Sequence, residues 1–314
     1  MNNDKDKDLD ENYSPRHGKI VLENIENKNN QEITGSWEIP KNAYIQPKKK
    51  GSILSFIVIM IFLCTTCFSA YKIALWLIDN KKTSDSIKNI ENNVEVKEIE
   101  DNNNTEIISK EDDKDNPYWY YITFPLIDVD INKLRSENSD TVGWINVNNT
   151  NINYPFVQTN NNDYYLNHSF NKDYNEAGWI FLDYRNNNSF SSKNNIIYGH
   201  SRLDKSMFGT LNKVLKPEWY SNKDNHIIRI SLENENTLWQ IFSVYKIKEE
   251  SYYITTDFTT TDSYLDFLKT IQERSLYNFN TNLNESDKIL TLSTCYSDTE
   301  RTVIHARLIK RETK

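Results

Sequence analysis

Cysteine is scarce in this 314-residue chain, with three in all, and two of them, Cys64 and Cys67, share one apolar block near the N-terminus. Cys295 is the only thiol elsewhere. One isolated cysteine cannot build a disulfide framework, and no Cys-x-x-Cys partner stands near it to make a zinc site. Histidine is also sparse, five residues scattered along the chain, so neither a metal centre nor another cofactor is expected. Glycine numbers only seven, and no Gly-rich phosphate loop or internal repeat occurs. Positive charge is in deficit: 37 Lys and Arg against 45 Asp and Glu leave a formal net charge of -8. A nucleic-acid partner would call for a basic face, so none is expected.

Hydrophobic residues make up 37% of the chain, a modest share that is unevenly distributed. Residues 1–50 are polar and patternless, carry Pro15, Pro40 and Pro47, and are expected to be a disordered tail. Residues 53–71 are almost wholly apolar and uncharged, close to the length of about 20 that a helix needs to cross a bilayer. Within a segment assigned to 51–79, this run is expected to be a retained transmembrane anchor. Lys48, Lys49 and Lys50 stand directly before it, which places the N-terminus in the cytoplasm and the bulk of the chain outside. A cleaved signal peptide fits poorly, because the preceding segment is too long and Phe68 occupies a site that wants a small residue. Cys64-x-x-Cys67 has redox spacing but lies at membrane depth, where two small apolar residues in a helix are the simpler reading. Residues 80–116 are charged and Asn-rich, and read as an extracytoplasmic linker with some helix possible.

From Tyr118 the composition changes to short β-branched and aromatic runs parted by Asn, Asp and Gly. Strands are expected over 142–147, 152–157, 178–183, 195–198, 226–232, 238–247, 288–294 and 302–310. Asp130 should cap a helix through Ile131 and Leu134. Phe208 to Leu215 suggests a short helix, and Asp262 a longer one with Leu265, Leu268 and Ile271 on one face. Residues 117–314 thus read as a mainly β domain, a barrel with inserted helices.

The chemistry is expected at Cys295. It follows the strand-like Ile289-Leu290-Thr291-Leu292 and precedes a polar loop, so a nucleophilic thiolate could form at a strand end. A buried structural cysteine is the plainer alternative. Among the histidines, His200 stands out: it ends the run Ile196-Ile197-Tyr198 after Gly199, at a strand exit. His226 and His305 read as structural, and His168 has no assigned role. Acyl transfer also needs a donor for its oxyanion, and Arg301, six positions after Cys295, is preferred over the deeper Arg307.

Several segments together resemble class B sortases, the membrane-anchored cysteine transpeptidases of Gram-positive bacteria. They include Gly143-Trp144-Ile145, Asn153-Tyr154-Pro155-Phe156-Val157-Gln158, Asp163-Tyr164-Tyr165-Leu166 and Phe181-Leu182-Asp183-Tyr184-Arg185-Asn186. Tyr198-Gly199-His200, Met207-Phe208, Thr256-Asp257-Phe258 and Thr291-Leu292-Ser293-Thr294-Cys295 complete the set. The resemblance covers about 125–310. It implies an eight-stranded sortase barrel with Cys295 as nucleophile, His200 as acid/base and Arg301 at the oxyanion. It also implies substrate contacts from Leu292, Ser293, Thr294 and Tyr198.

The implied partners are secreted proteins with a C-terminal sorting signal like Asn-Pro-x-Thr-Asn/Gly, cleaved after Thr, and a lipid-linked peptidoglycan precursor as amine donor. The membrane is engaged through residues 53–71. A pilin lysine as acceptor is an alternative. A non-catalytic tethered barrel is another, and it predicts His200 and Arg301 more than ~10 Å from the Cys295 sulfur. Two features depart from the family: a short loop between Cys295 and Arg301, and a long cytoplasmic tail.

Overall fold

The computed structural model describes residues 53–108, 110–248, 250–295 and 300–314. The tail expected over 1–50 lies outside them. The β-rich region forms α2 (Tyr118–Tyr121), β3 (Leu126–Asp128), α3 (Ile131–Glu137), β4 (Thr141–Val147) and β5 (Asn153–Val157). Then follow β6 (Phe181–Leu182), β7 (Asn194–His200), α4 (Pro217–Ser221), β8 (Ile227–Leu232), β9 (Glu235–Lys248), α5 (Thr261–Glu273), β10 (Ile289–Cys295) and β11 (Glu300–Thr313). Ahead of these lie α1 (Ile53–Asn93), β1 (Lys97–Ile99) and β2 (Thr105–Ile107).

Eight strands close on themselves in the order β10-β7-β6-β5-β4-β8-β9-β11, with β11 pairing back to β10 and β2 added at the edge of β11. Closure removes the open edges that a flat sheet would expose. The pairing is mixed: β10 runs parallel to β7, β5 parallel to β6, and the remaining barrel neighbours are antiparallel. Large side chains such as Trp144, Phe156, Trp239 and Phe242 are buried with Leu290 and Leu292 in one core. Gly143 lets β4 approach its neighbours, since a Cβ there would stand 2.6 Å from the Ser231 carbonyl oxygen.

The expected strands appear with shifted ends. The run expected over 178–183 shortens to Phe181–Leu182, and the last strand extends from Glu300 to Thr313. Asp130 caps α3 by accepting from the Lys133 amide. The short helix expected from Phe208 is a 3-10 turn over Leu211–Leu215. The cap of α5 is Thr260, not Asp262: Thr260 and Ser263 exchange hydrogen bonds in a capping box. Leu265, expected on the packed face, is instead exposed, while Tyr264, Phe267, Leu268 and Ile271 are buried.

Residues 80–116 are not a free linker. The apolar helix continues unbroken to Asn93, and Thr83, Ser86 and Ile90 are buried at helical spacing. β1 pairs with β3, and β2 adds to β11. Beyond them the Glu111 carboxylate accepts from Arg307 Nη2 at 2.6 Å, with both side chains nearly inaccessible. Breaking so enclosed a pair would leave a buried charge, which makes this segment an integral part of the fold.

Two histidines read as structural are enclosed. His305 Nε2 lies 2.8 Å from the Tyr245 hydroxyl and Nδ1 lies 2.8 Å from Thr291 Oγ1. Burial pushes its imidazole down to about 3. His226 meets the Tyr121 hydroxyl and the Tyr220 carbonyl, and burial is the main reason its imidazole falls to about 4. An unfolded histidine takes up its proton near 6.5. The unfolded chain therefore binds more protons than the folded one between about 6.5 and about 4, and stability falls as pH drops through that window. The melting temperature should decline across it. His305→Gln should lower stability at neutral pH by roughly 1–3 kcal/mol yet show a shallower acid decline, because glutamine does not titrate. Equal slopes for the two proteins in thermal melts would contradict this.

Candidate active site

The site is built by strand register. β10 pairs with β7 from Ile289 opposite Asn194 through to Cys295 opposite His200. On its other side β10 pairs with β11, Ser293 opposite Val303. The next rung is sealed by the Thr302 amide donating to Thr294 Oγ1 at 2.9 Å. Continued two positions beyond Ser293 and Val303, the same antiparallel register sets Arg301 opposite Cys295. Neighbouring strands lie about 4.8 Å apart, so the Cys295 backbone lies between those of His200 and Arg301 on one rung. Residues separated by about a hundred positions in the chain meet because a parallel pair joins β7 to β10.

His200 is oriented by its surroundings. Its Nε2 donates to the Leu166 carbonyl at 2.7 Å, since that oxygen can only accept. Leu166 closes a 3-10 turn over Tyr164–Leu166. That turn is pinned by Tyr165, whose hydroxyl donates to Asp140 at 2.9 Å and accepts from Asn138. The Trp179 amide donates to the Tyr165 carbonyl at 2.9 Å. Two glycines permit the approach. Gly178 has φ +59, and a Cβ on it would stand 2.5 Å from the Tyr165 carbonyl, 2.7 Å from that of Leu166 and 3.0 Å from His200 Cδ2. At Gly199 a Cβ would meet Ile180 at 2.7 Å and the Phe208 ring at 2.9 Å.

Arg301, the second residue of β11, pairs with Ile247 and is half-buried. The adjoining Glu300 forms an ion pair with Lys246 across the same two strands.

The remaining expected site residues behave differently from one another. Leu292 is fully buried in the barrel core. Thr294 is buried, with its hydroxyl spent on β11. Ser293 is buried, 3.2 Å from the Tyr253 hydroxyl. The expectation that these three line a groove therefore meets side chains enclosed by packing. Tyr198 is half-buried, and its hydroxyl donates to Asp183 at 2.9 Å. Burial, reinforced by the Asp183 charge, raises the phenol well above its ordinary value, so Tyr198 stays protonated. Burial alone would raise the Asp183 carboxyl too, but hydrogen bonds from Arg185 outweigh it and hold the group below the usual carboxylate range.

Arg185 grips Asp183 with Nε at 2.9 Å and Nη2 at 2.6 Å, and Nη2 also reaches the Ile254 carbonyl at 3.0 Å. A second tie runs below the rung of His200 and Cys295. Tyr252 donates to Tyr245 (2.9 Å), which donates to His305 Nε2 (2.8 Å). His305 Nδ1 donates to Thr291 Oγ1, which donates to Asn194 Oδ1 at 2.7 Å. The amide of Asn194 then donates to the carbonyls of Tyr253 and Thr255. Every donor in this chain points one way, which a neutral imidazole allows and an imidazolium would break.

Sequence reasoning gives no role to Gly178, Tyr253 or the Asp183–Arg185 pair. The signals it offers are two matched segments, Asp163 to Leu166, which contains Leu166, and Phe181 to Asn186, which contains the pair.

Barrel and chain order together define a class. The Sortase domain family matches residues 145–309, from β4 into β11. The chain therefore belongs to the sortase family of cysteine transpeptidases, and within it to the sortase B group. Sortase B of Listeria monocytogenes is 38% identical over 180 residues, covering 57% of this chain and 72% of the relative. Sortase B of Staphylococcus aureus is 38% identical over 181 residues, 56% of this chain and 73% of the relative. A crystal structure of sortase B from Bacillus anthracis superposes with a TM-score of 0.55 at 41% identity, covering 58% of this chain and 83% of that one.

Gly178→Ala tests the orientation of His200. The added methyl must displace the Leu166 carbonyl, and a shift of about 1 Å can cost a catalytic group on the order of 100-fold. We expect kcat of peptide cleavage to fall at least tenfold with a correctly folded barrel by circular dichroism. Unchanged kcat would show that the carbonyl clamp does not set the imidazole.

Proposed function

We propose that the chain cleaves a C-terminal sorting signal of the Asn-Pro-x-Thr-Asn/Gly kind after its Thr and transfers the protein to an amine of a lipid-linked cell-wall precursor. The observation that carries this reading is the shared rung of His200, Cys295 and Arg301. Acyl transfer needs a nucleophile, a proton carrier and an oxyanion donor within reach of one carbonyl.

In the first half-reaction, the Cys295 thiolate attacks the Thr carbonyl carbon and the carbonyl electrons move onto oxygen, facing Arg301. The tetrahedral intermediate collapses by breaking the C–N bond, and His200 as imidazolium gives its proton to the leaving amine. A thioester remains on Cys295. In the second half, the acceptor amine adds to the thioester carbon and surrenders a proton to His200. The C–S bond then breaks to restore the thiolate and form the new amide.

Arg301 enters as a fixed cation that costs no reorganisation when the oxyanion forms. The Leu166 carbonyl holds the imidazole through Nε2. Of the four expected substrate contacts, Tyr198 is the one with open surface. Leu292, Ser293 and Thr294 support the rung from within.

Residues 53–71 are the bilayer span in this reading. The tail at 1–50 is cytoplasmic and the domain at 117–314 extracytoplasmic, with Lys48 to Lys50 on the inner side. Substrate, lipid-linked acceptor and enzyme then share one surface. A pilin lysine could play the same amine role, and the acceptor assay below separates the two.

The full chain in detergent should cleave a fluorogenic sorting-signal peptide, with Cys295→Ala inactive and an acyl-enzyme visible by intact mass only when Cys295 is present. Arg301→Ala should lose about 100- to 1,000-fold in kcat, the usual cost of one oxyanion donor. Full activity of Cys295→Ala would end the transpeptidase reading. Product formed with a peptidoglycan amine but not with a lysine-bearing pilin peptide would identify anchoring over polymerisation.

A further inference from the structure

We propose that the catalytic end of the barrel faces the bilayer and rests on lipid headgroups through Tyr174 and Leu203. The inference depends on residues 53–71 being the membrane span, as proposed above.

The helix itself supplies a height scale. It runs without a break from the apolar segment to Asn93, and each residue adds about 1.5 Å along its axis. Its contacts with the domain can therefore be ordered by distance from the membrane. Farthest away, Ile90 and Val94 join the domain core and Lys133 reaches the Asn93 carbonyl. Nearest, Lys72 pairs with Glu176 at 3.7 Å, and the Glu176 amide donates to Asp79 at 3.4 Å. Asn175, almost fully buried, donates to Thr83 Oγ1 at 3.0 Å, and Arg202 bonds to Asn80. Asp79 and Asn93 differ by about 21 Å in height.

The membrane-near contacts belong to the loops that flank His200. Asn175 donates to the Asn167 carbonyl, one residue past Leu166, which holds the imidazole. The Gly178 amide in turn donates to Asn175, and Gly178 packs against His200. Arg202 follows His200 by two residues at the end of β7. The barrel end that carries the catalytic rung is thus the end that meets the helix where its apolar segment stops.

The surface at this edge is apolar in the way a lipid interface requires. Leu203 is 91% exposed and Tyr174 61% exposed, and these are the two most exposed large hydrophobic side chains described outside α1. They sit next to Arg202 and Asn175, the residues bonded to the helix. The adjoining helix segment presents Ile73, Trp76, Leu77 and Ile78, all exposed. An aromatic and an aliphatic tip beside an exposed tryptophan match the headgroup zone, where amphipathic rings gather. Lys81 and Lys82, exposed at the same level, complement anionic headgroups. A thioester formed on the rung would then lie beside the leaflet that confines a lipid-linked amine.

The test uses the full chain in mixed phosphatidylglycerol/phosphatidylcholine vesicles. Cys64→Ser, Cys67→Ser and Cys295→Ala give a background with no native thiol. Single cysteines are then introduced as Leu203→Cys, Tyr174→Cys and Ser189→Cys and labelled with an environment-sensitive fluorophore. Ser189 is exposed in the turn before β7, at the other end of that strand, about 20 Å from His200. Lipids carrying a headgroup nitroxide should quench the labels at 203 and 174 several-fold more than the label at 189. Protein that floats with the vesicles but shows equal quenching at all three sites overturns the proposal and leaves the anchor intact. Protein that stays behind on flotation overturns the anchor reading, and this inference with it.

Discussion

The parallel pairing of β10 with β7 is the constraint on which the rest depends. Antiparallel hairpins could have placed Cys295 beside Arg301 by local chain reversal, as β10 and β11 do. They could not have brought in His200, which lies on a strand running the same way. A parallel pair needs a long crossover, and here β8, β9 and α5 all lie between the two strands in the chain. The intervening elements finish the barrel wall, so closing the barrel and assembling the rung are one event. A one-residue slip of β10 would move Cys295 off the rung and turn Leu290 and Leu292 away from the core.

A layer of hydrogen bonds beneath the rung holds that register. Thr291 and His305 lie opposite each other on β10 and β11, and both are enclosed. Unpaired, they would be costly; satisfied by Tyr245 and Asn194, they lock four strands and the segment over 252–255 into one arrangement. Arg185 ties the same segment from outside through the Ile254 carbonyl. The burial that keeps His305 neutral is therefore a condition of the geometry above it. Hydrophobic packing supplies most of the cohesion, but it is not directional enough to choose this register over its neighbours.

The N-terminal helix extends the same logic to the segment ahead of the barrel. Its second half is built into the fold by Thr83, Ser86 and Ile90. The segment after it is held by strand addition to β3 and β11 and by the buried Glu111–Arg307 pair. Charge and asparagine content made this stretch look like a spacer. Composition describes what a segment exposes on average, and these residues bury a minority of side chains at helical and strand spacing.

Much of the fold was legible from local pattern. Alternating β-branched and aromatic runs located the barrel strands because each must show one face to the core, and Asp130 identified the start of α3 because an N-cap acts within four residues. Cys295, His200 and Arg301 stood out through residue type at strand ends, reinforced by family resemblance. What local pattern misjudged was settled by neighbours distant in the chain. Thr260 rather than Asp262 caps α5, Leu265 faces outward, and Leu292, Ser293 and Thr294 turn into packing. The Leu166 carbonyl carries no side-chain signature at all, since any residue supplies one. The sequence by itself determined which segments are strands, which is apolar enough to span a bilayer, and which residue types could do the chemistry, because these depend on nearest-neighbour periodicity and on side-chain reactivity. Only the tertiary structure decided that His200 and Arg301 flank Cys295 on one rung, because that depends on strand register across a closed barrel, a property no single segment possesses.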